Sequence, residues 1–139
     1  MYINETKLKV RYVETDQMGI VHHSNYYAWF EVGRTEYITG IGMTYKEMEE
    51  ENIMLPVVES SCRYMEGAKN EDILIIQTYI KELNGAKVIF NYNVVRVIDG
   101  KILAKGSTIH AFVNEKFRII NLKKANTDIW SRFQKLLKE

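Results

Sequence analysis

The sequence predicts an α+β domain in which an antiparallel β-sheet wraps one long central helix. Two observations predict this architecture: apolar residues follow a helical period after Asn25, and four segments rich in β-branched and aromatic residues follow Ile53. The chain has 139 residues, of which 46% are hydrophobic and 27% charged, as in a soluble globular protein. We expect residues 1–139 to form a single domain, because no repeat or Gly/Ser-rich linker divides them.

Charge and cysteine content argue against several classes of protein. A formal net charge of +1 argues against nucleic-acid binding, which needs a basic surface to neutralise phosphates. Cys62 is the single cysteine, so no intramolecular disulfide can form and a reducing, cytoplasmic location is expected. The N-terminal MYINETKLKV lacks the apolar core of a signal peptide, and no stretch approaches the roughly 18 apolar residues of a membrane span. We therefore expect an unprocessed protein with no stable membrane insertion.

The first predicted element is a half-buried strand over residues 7–14, which read KLKVRYVE. Basic and apolar side chains alternate along it with the period of two that a strand requires. The apolar positions are Leu8, Val10 and Tyr12.

A long helix is predicted from about Asn25. Its apolar face has the spacing i, i+3, i+4, i+7 and comprises Tyr26, Trp29, Phe30, Gly33 and Tyr37. Further apolar residues extend this face most of the way round: Tyr27, Ala28, Val32 and Ile38. We therefore expect the helix to be buried on most sides. Gly40 and Gly42 are suitable ends, because glycine adopts the left-handed conformation that follows many helices.

A short second helix and a series of strands follow. Thr44 and Glu47 have the spacing of a capping box, which predicts a helix start there. The strands are predicted in LPVVESSCRYM, ILIIQTYIKEL, KVIFNYNVVRVI and KILAKGSTIHAFV. Asn84-Gly85 and Asp99-Gly100 separate the last three segments, as two-residue hairpin turns do, so these strands should form an antiparallel meander.

The last predicted element is an amphipathic helix over residues 126–139, which read NTDIWSRFQKLLKE. Its apolar face consists of Ile129, Trp130, Phe133, Leu136 and Leu137. We expect this face to dock on the protein or on a neighbouring subunit. Binding to a partner or to a membrane surface is the alternative.

The segment TDQMGIVHHSNYYAWFEVGRTE carries a family resemblance. Its pattern is TD-x-x-G-(I/V)-V-x-H-x-x-Y-x-x-(F/W)-x-E-x-x-R, matched by Thr15, Asp16, Gly19, Ile20, Val21, His23, Tyr26, Trp29, Glu31 and Arg34. It resembles the hotdog-fold thioesterases of the 4-hydroxybenzoyl-CoA thioesterase family, especially the Tol–Pal-associated acyl-CoA thioesterases. The similarity runs from about Val10 to Val113. It implies the hotdog fold, in which the sheet wraps the central helix.

The resemblance implies an acyl-CoA thioesterase that needs no cofactor or metal. The position of Asp16 is that of the nucleophile or general base, and the backbone N–H of His23 would bind the thioester carbonyl oxygen. The unpaired amides of a helix start suit that task, and a thiolate leaves easily because its conjugate acid has a pKa of about 8.5. Further predicted substrate-binding residues are Gly19, Val21, Asn25 and Tyr26. The resemblance also implies a homodimer or homotetramer.

Several of these residues also have ordinary structural explanations. Asp16 could be a turn residue, since aspartate favours turns. The imidazole of His23 could take part, or the backbone amide alone could act. His22 and His110 are expected to be structural or exposed, and a metal site is not expected from three histidines without suitably spaced partners. Cys62 is expected to be a small buried apolar residue.

Two further positions could matter for catalysis. Glu31 and Arg34 lie three residues apart, so an ion pair on one helix face is expected, with a second catalytic carboxylate at Glu31 as the alternative. Ser60 and Ser61 lack the sequence context of a serine hydrolase nucleophile. Other functions that stay open are a non-catalytic acyl-thioester-binding domain, a thioesterase for acyl carrier protein, and a hotdog dehydratase or hydratase.

Overall fold

The computed structural model describes residues 1–138. The chain begins with strand β1 (Asn4–Lys9) and a 3-10 turn (Tyr12–Glu14), followed by the long helix α1 (Ser24–Gly40) and the short helix α2 (Tyr45–Glu50). The remaining elements are β2 (Val57–Tyr64), β3 (Ile73–Leu83), β4 (Lys87–Arg96), β5 (Lys101–Ala111), α3 (Leu122–Ala125) and α4 (Thr127–Lys138).

Within residues 1–138, five strands form one antiparallel sheet in the order β1-β3-β4-β5-β2. The two predicted hairpins connect β3 to β4 and β4 to β5. Asn84 Oδ1 accepts hydrogen bonds from the amides of Ala86 and Lys87 at 2.8 and 3.0 Å, and Gly100 has a φ of +68°. The predicted α+β architecture is therefore confirmed, with β1 and β2 at the two edges of the sheet.

Helix α1 lies against the sheet at two glycines. A Cβ atom at Gly33 would overlap Thr78 Oγ1 on β3, and one at Gly106 on β5 would overlap the ring of Phe30. Phe30 stacks on Tyr92 with ring centroids 4.4 Å apart. The absence of side chains at Gly33 and Gly106 therefore allows close packing of helix and sheet.

Part of the predicted helix burial is wrong. One side of α1 is open to solvent and comprises Ala28, Glu31, Val32, Thr35 and Glu36. The sheet covers only the opposite side of the helix, so an apolar residue such as Val32 remains 43% exposed.

The predicted ion pair between Glu31 and Arg34 is also wrong. Among residues 1–138 these two side chains form no salt bridge; Arg34 Nη1 instead donates to the hydroxyl of Tyr92 at 3.2 Å. Arg34 turns toward the sheet while Glu31 stays on the exposed side. Spacing along a helix fixes which side chains are neighbours, but the covering sheet decides what each contacts.

The predicted first strand is displaced toward the N-terminus. Strand β1 ends at Lys9, and Tyr12 lies in the 3-10 turn with 80% of its surface exposed. The carboxylate of Glu14 accepts a hydrogen bond from the Arg11 amide at 2.8 Å, and Thr15 Oγ1 donates to the Tyr12 carbonyl at 2.7 Å. These local bonds replace the strand pairing that the alternating pattern predicts.

A chain of buried polar groups crosses the core. His110 Nδ1 lies 3.0 Å from the Leu55 carbonyl, and His110 Nε2 lies 2.8 Å from Thr108 Oγ1, itself 2.6 Å from the Tyr92 hydroxyl. Because a carbonyl can only accept, Nδ1 carries the proton, Nε2 accepts from Thr108, and Thr108 accepts from Tyr92. Burial lowers the pKa of His110 to about 4, with a further contribution from Arg34. His110 is therefore structural, as predicted.

The C-terminal helix docks on this chain, which is one of the two docking modes predicted for it. Ile129, Phe133 and Leu136 are buried, and Phe133 contacts Phe112 with ring centroids 5.9 Å apart. Glu139, the last residue of the predicted helix, lies outside the described residues. No helix in residues 1–138 is long and apolar enough to cross a membrane.

Candidate active site

A tight loop over residues 15–21 precedes α1. The amide of Asp16 donates to the Ile20 carbonyl at 2.8 Å, and the amide of Gly19 donates to the Asp16 carbonyl at 3.0 Å. Asp16 Oδ1 also accepts from the Met18 amide at 2.8 Å. Gly19 has a φ of +81°, a conformation that other residues rarely adopt. The loop thus fixes one carboxylate oxygen of Asp16, while Oδ2 has no hydrogen-bond partner among residues 1–138.

The start of α1 offers an unpaired hydrogen-bond donor. The amides of Asn25 and Tyr26 donate to the carbonyls of His22 and His23 at 3.0 and 3.2 Å, and the amide of Ser24 lies 3.3 Å from His22 Nδ1. The amide of His23 has no acceptor among the described residues. A free N–H at a helix start carries part of the positive end of the helix dipole, so it can bind an oxyanion.

Asp16 and His23 both line one cavity of about 330 Å³. Four of the six predicted site residues line it: Asp16, Val21, His23 and Tyr26. Gly19 and Asn25 do not reach its wall. Gly19 forms the loop turn, while Asn25 Nδ2 donates to the Glu14 carbonyl at 2.9 Å. The residues that line the cavity therefore include Asp16, with an unbonded carboxylate oxygen, and His23, with an unpaired amide, beside apolar side chains.

The opposite wall was missed by sequence reasoning. It is formed by residues 64–67, at and just after the end of β2; Met18 and Ile20 of the loop also line the cavity. The Tyr64 hydroxyl lies 3.5 Å from the His23 carbonyl, and its ring lies 5.1 Å from that of Tyr26. These contacts join residues about 40 positions apart, so no local pattern signals them.

Comparisons with known proteins show the family of this chain. A model of the thioesterase-like superfamily matches residues 10–133. A relative in Bacillus subtilis, named "Putative acyl-CoA thioesterase YneP", is 34% identical over 99% of this chain and 100% of its own. The acyl-CoA thioesterase YbgC of Haemophilus influenzae is 33% identical over 64% of this chain and 66% of its own. The chain belongs to the thioesterase-like superfamily.

A solved structure of a thioesterase extends the likeness to the whole fold. The DHNA-CoA thioesterase of Staphylococcus aureus superposes with a TM-score of 0.92 at 27% identity, covering 99% of this chain and 93% of that one. The predictions of a hotdog fold and of a thioester-hydrolysing enzyme are thereby confirmed. The narrower likeness to the 4-hydroxybenzoyl-CoA and Tol–Pal-associated enzymes stays a prediction.

The remaining histidine and cysteine candidates of this thioesterase-like protein do not line the cavity. His22 is exposed, with Nδ1 2.8 Å from Ser24 Oγ and its ring stacked 4.3 Å from that of His23. Cys62 is half-buried, and burial raises the pKa of its thiol, which disfavours the nucleophilic thiolate. No group of three His, Cys, Asp or Glu side chains within residues 1–138 could hold a metal ion.

Proposed function

We propose that this protein is an acyl-CoA thioesterase, which hydrolyses an acyl-CoA to a carboxylic acid and free CoA. The observation that carries the proposal is that Asp16, with an unbonded carboxylate oxygen, and His23, with an unpaired amide, line the same cavity. The similarity to relatives named acyl-CoA thioesterases supports the substrate class.

The geometry suits two routes that share an oxyanion site. As a general base, Asp16 takes a proton from water, and the hydroxyl attacks the thioester carbonyl carbon. As a nucleophile, Asp16 attacks that carbon itself and forms an anhydride, which water then hydrolyses. In both routes the carbonyl oxygen gains negative charge and accepts a hydrogen bond from the His23 amide. Collapse of this oxyanion breaks the C–S bond, which in the nucleophilic route precedes hydrolysis of the anhydride, and the CoA thiolate leaves and takes up a proton.

The remaining predicted site residues have different parts in this proposal. Val21 and Tyr26 contribute apolar surface against which the acyl group packs. Gly19 and Asn25 act through the shape of the loop, because one forms its turn and the other bonds to its base at Glu14.

We also propose a homodimer, further paired into a homotetramer, for the assembled enzyme. Strand β2 has a free edge and carries Val57 and Val58, which are 49% and 61% exposed. An exposed apolar edge favours pairing with a second copy into a continuous sheet. Sedimentation at micromolar concentration checks this: a lone species of 16.3 kDa contradicts it.

Two finer assignments belong to the same proposal. The motif from Thr15 to Arg34 supports a place among the 4-hydroxybenzoyl-CoA and Tol–Pal-associated thioesterases. The single free cysteine, Cys62, supports a cytoplasmic location.

The test is release of free thiol from short-chain, long-chain and aromatic acyl-CoAs. We expect turnover of at least one substrate by the wild-type protein and its loss in Asp16→Asn. Measurable acyl-CoA binding without turnover of any substrate would show a binding domain instead.

A further inference from the structure

Glu14 is a buried carboxylate between the candidate catalytic loop and helix α1. Its side chain is only 6% exposed. Oε1 accepts from the Arg11 amide at 2.8 Å, and Oε2 accepts from Trp29 Nε1 at 2.9 Å. Burial acts to raise the pKa of Glu14, but the hydrogen bonds from Arg11 and Trp29 prevail and hold that pKa below its ordinary value. Glu14 is therefore an ionised carboxylate inside the protein.

The backbone of the same residue closes the loop. The Glu14 carbonyl accepts from the His22 amide at 2.8 Å and from Asn25 Nδ2 at 2.9 Å. Glu14 thus contacts α1 through Asn25 in its first turn and Trp29 in its second. Asp16 follows Glu14 by two residues, and His23 follows His22 directly. Both groups of the proposed mechanism are therefore within two residues of a Glu14 hydrogen bond.

We propose that Glu14 is a positioning residue, which sets the placement of Asp16 relative to the His23 amide. This inference rests on the proposed function. Glu14 does not line the cavity, so it acts through the loop and not on the substrate. A buried carboxylate is costly unless well bonded, whereas an apolar side chain there would pack without that cost but would hold neither Trp29 nor the Arg11 amide. Fixing reacting groups matters because a displacement of about 1 Å can cost 10²-fold in rate.

Glu14→Gln tests the proposal with little change in size. Both partners of the carboxylate are donors, and an amide has only one oxygen, so either the Arg11 amide or Trp29 Nε1 loses its acceptor. We expect kcat to fall about tenfold or more while KM stays within about threefold. Thermal melting followed by circular dichroism would establish the folded fraction at the assay temperature.

Arg11→Ala is the matched control. The Arg11 guanidinium lies 3.5 Å from Glu14 Oε1, and its side chain is 73% exposed. The variant removes this ion pair but keeps the backbone amide that binds Glu14. Because water screens the charge of the exposed guanidinium, this ion pair should contribute little, and kcat should stay within about twofold of the wild-type value.

Trp29→Phe provides a second variant should Glu14→Gln not fold. It removes the donor to Oε2, and we again expect a lower kcat at nearly unchanged KM. In the double variant Trp29 Nε1 is absent, so Glu14→Gln leaves only the Arg11 amide in need of an acceptor, and the single amide oxygen can supply it. Glu14→Gln should therefore reduce kcat less in the Trp29→Phe background than in the wild type.

The outcomes separate this inference from the proposed function. Folded Glu14→Gln and Trp29→Phe proteins with wild-type kcat, alongside an inactive Asp16→Asn protein, would overturn the positioning role and leave the thioesterase mechanism intact. A lower melting temperature without a change in kcat would show that Glu14 is structural alone. An active Asp16→Asn protein would overturn the proposed mechanism itself.

Discussion

The starts of helices α1 and α4 satisfy their backbone amides in different ways. At α4, the side chain of Asn126 accepts a hydrogen bond from the Ile129 amide at 3.0 Å. At α1, His23 occupies the capping position but makes no side-chain cap, and its own amide stays unpaired. Asparagine is among the favoured capping residues and histidine is not. Under the proposed function this difference has a reason: the start of α4 is capped for stability, whereas the start of α1 keeps a donor free for the substrate.

The largest expected effect comes from Asp16→Asn at the uncapped start. The substitution keeps the size of the side chain but removes the charge and basicity that either proposed route needs. We expect kcat to fall by about 10²- to 10⁴-fold, with acyl-CoA binding retained because the cavity persists. Single-turnover hydrolysis in ¹⁸O-water tests for the nucleophilic route: label in the Asp16 carboxylate shows an anhydride, whereas a general base, or an anhydride opened at its acyl carbon, puts the label in the product acid alone.

Near wild-type kcat in Asp16→Asn, with deamidation excluded by mass spectrometry, would contradict that prediction. Glu31 on the open side of α1 would then be the carboxylate to test, since it is exposed beside the helix.

His23→Pro addresses the unpaired amide directly. Proline lacks the N–H, and the φ of His23, −55°, suits its ring. Because that N–H has no acceptor among the described residues, the fold should lose little, whereas removing one oxyanion donor typically costs about 10²- to 10³-fold in kcat.

His23→Ala is the matched control because it keeps the amide and removes the exposed imidazole. We expect the alanine variant to stay within about tenfold of the wild-type kcat. Equal losses in the two variants, at equal melting temperatures, would show that the imidazole takes part in the reaction.

Much of this arrangement could be predicted from the sequence. The helix α1, the β3–β5 meander and the Asp16 loop all follow from local period, turn residues or motif spacing. The wall formed by residues 64–67 does not, because β2 reaches the helix start only through its pairing with β5. The expected strand over residues 7–14 also fails at its end, where the Glu14 side chain binds the Arg11 amide and turns the chain. Local patterns cannot reveal such long-range or side-chain-determined contacts.

The pH dependence of stability should reflect protonation of His110, which lies in the buried core and not at either helix start. The folded-state pKa of His110 is about 4, below the 6.5 of an unperturbed histidine. The unfolded chain therefore binds the proton first as pH falls, so the free energy of unfolding should decrease from pH 6.5 to 4. That decrease should total about 3 kcal/mol. Urea titrations across this range would measure the decrease, with the exposed His22→Asn as the control. A free energy of unfolding that stays constant between pH 6.5 and 4.5, where carboxylates contribute little, would contradict the prediction.

The smallest expected effect is at the capped start of α4. Asn126→Ala removes the acceptor for the Ile129 amide, so we expect the free energy of unfolding to fall by about 1 kcal/mol. Because α4 contributes no residue to the cavity, kcat should not change. His23→Ala removes no cap and should leave stability within about 0.5 kcal/mol of the wild-type value. Urea unfolding of both variants measures the contrast. A loss at His23 as large as that at Asn126 would show that the His23 side chain also stabilises its helix, and the functional distinction between the two starts would fail.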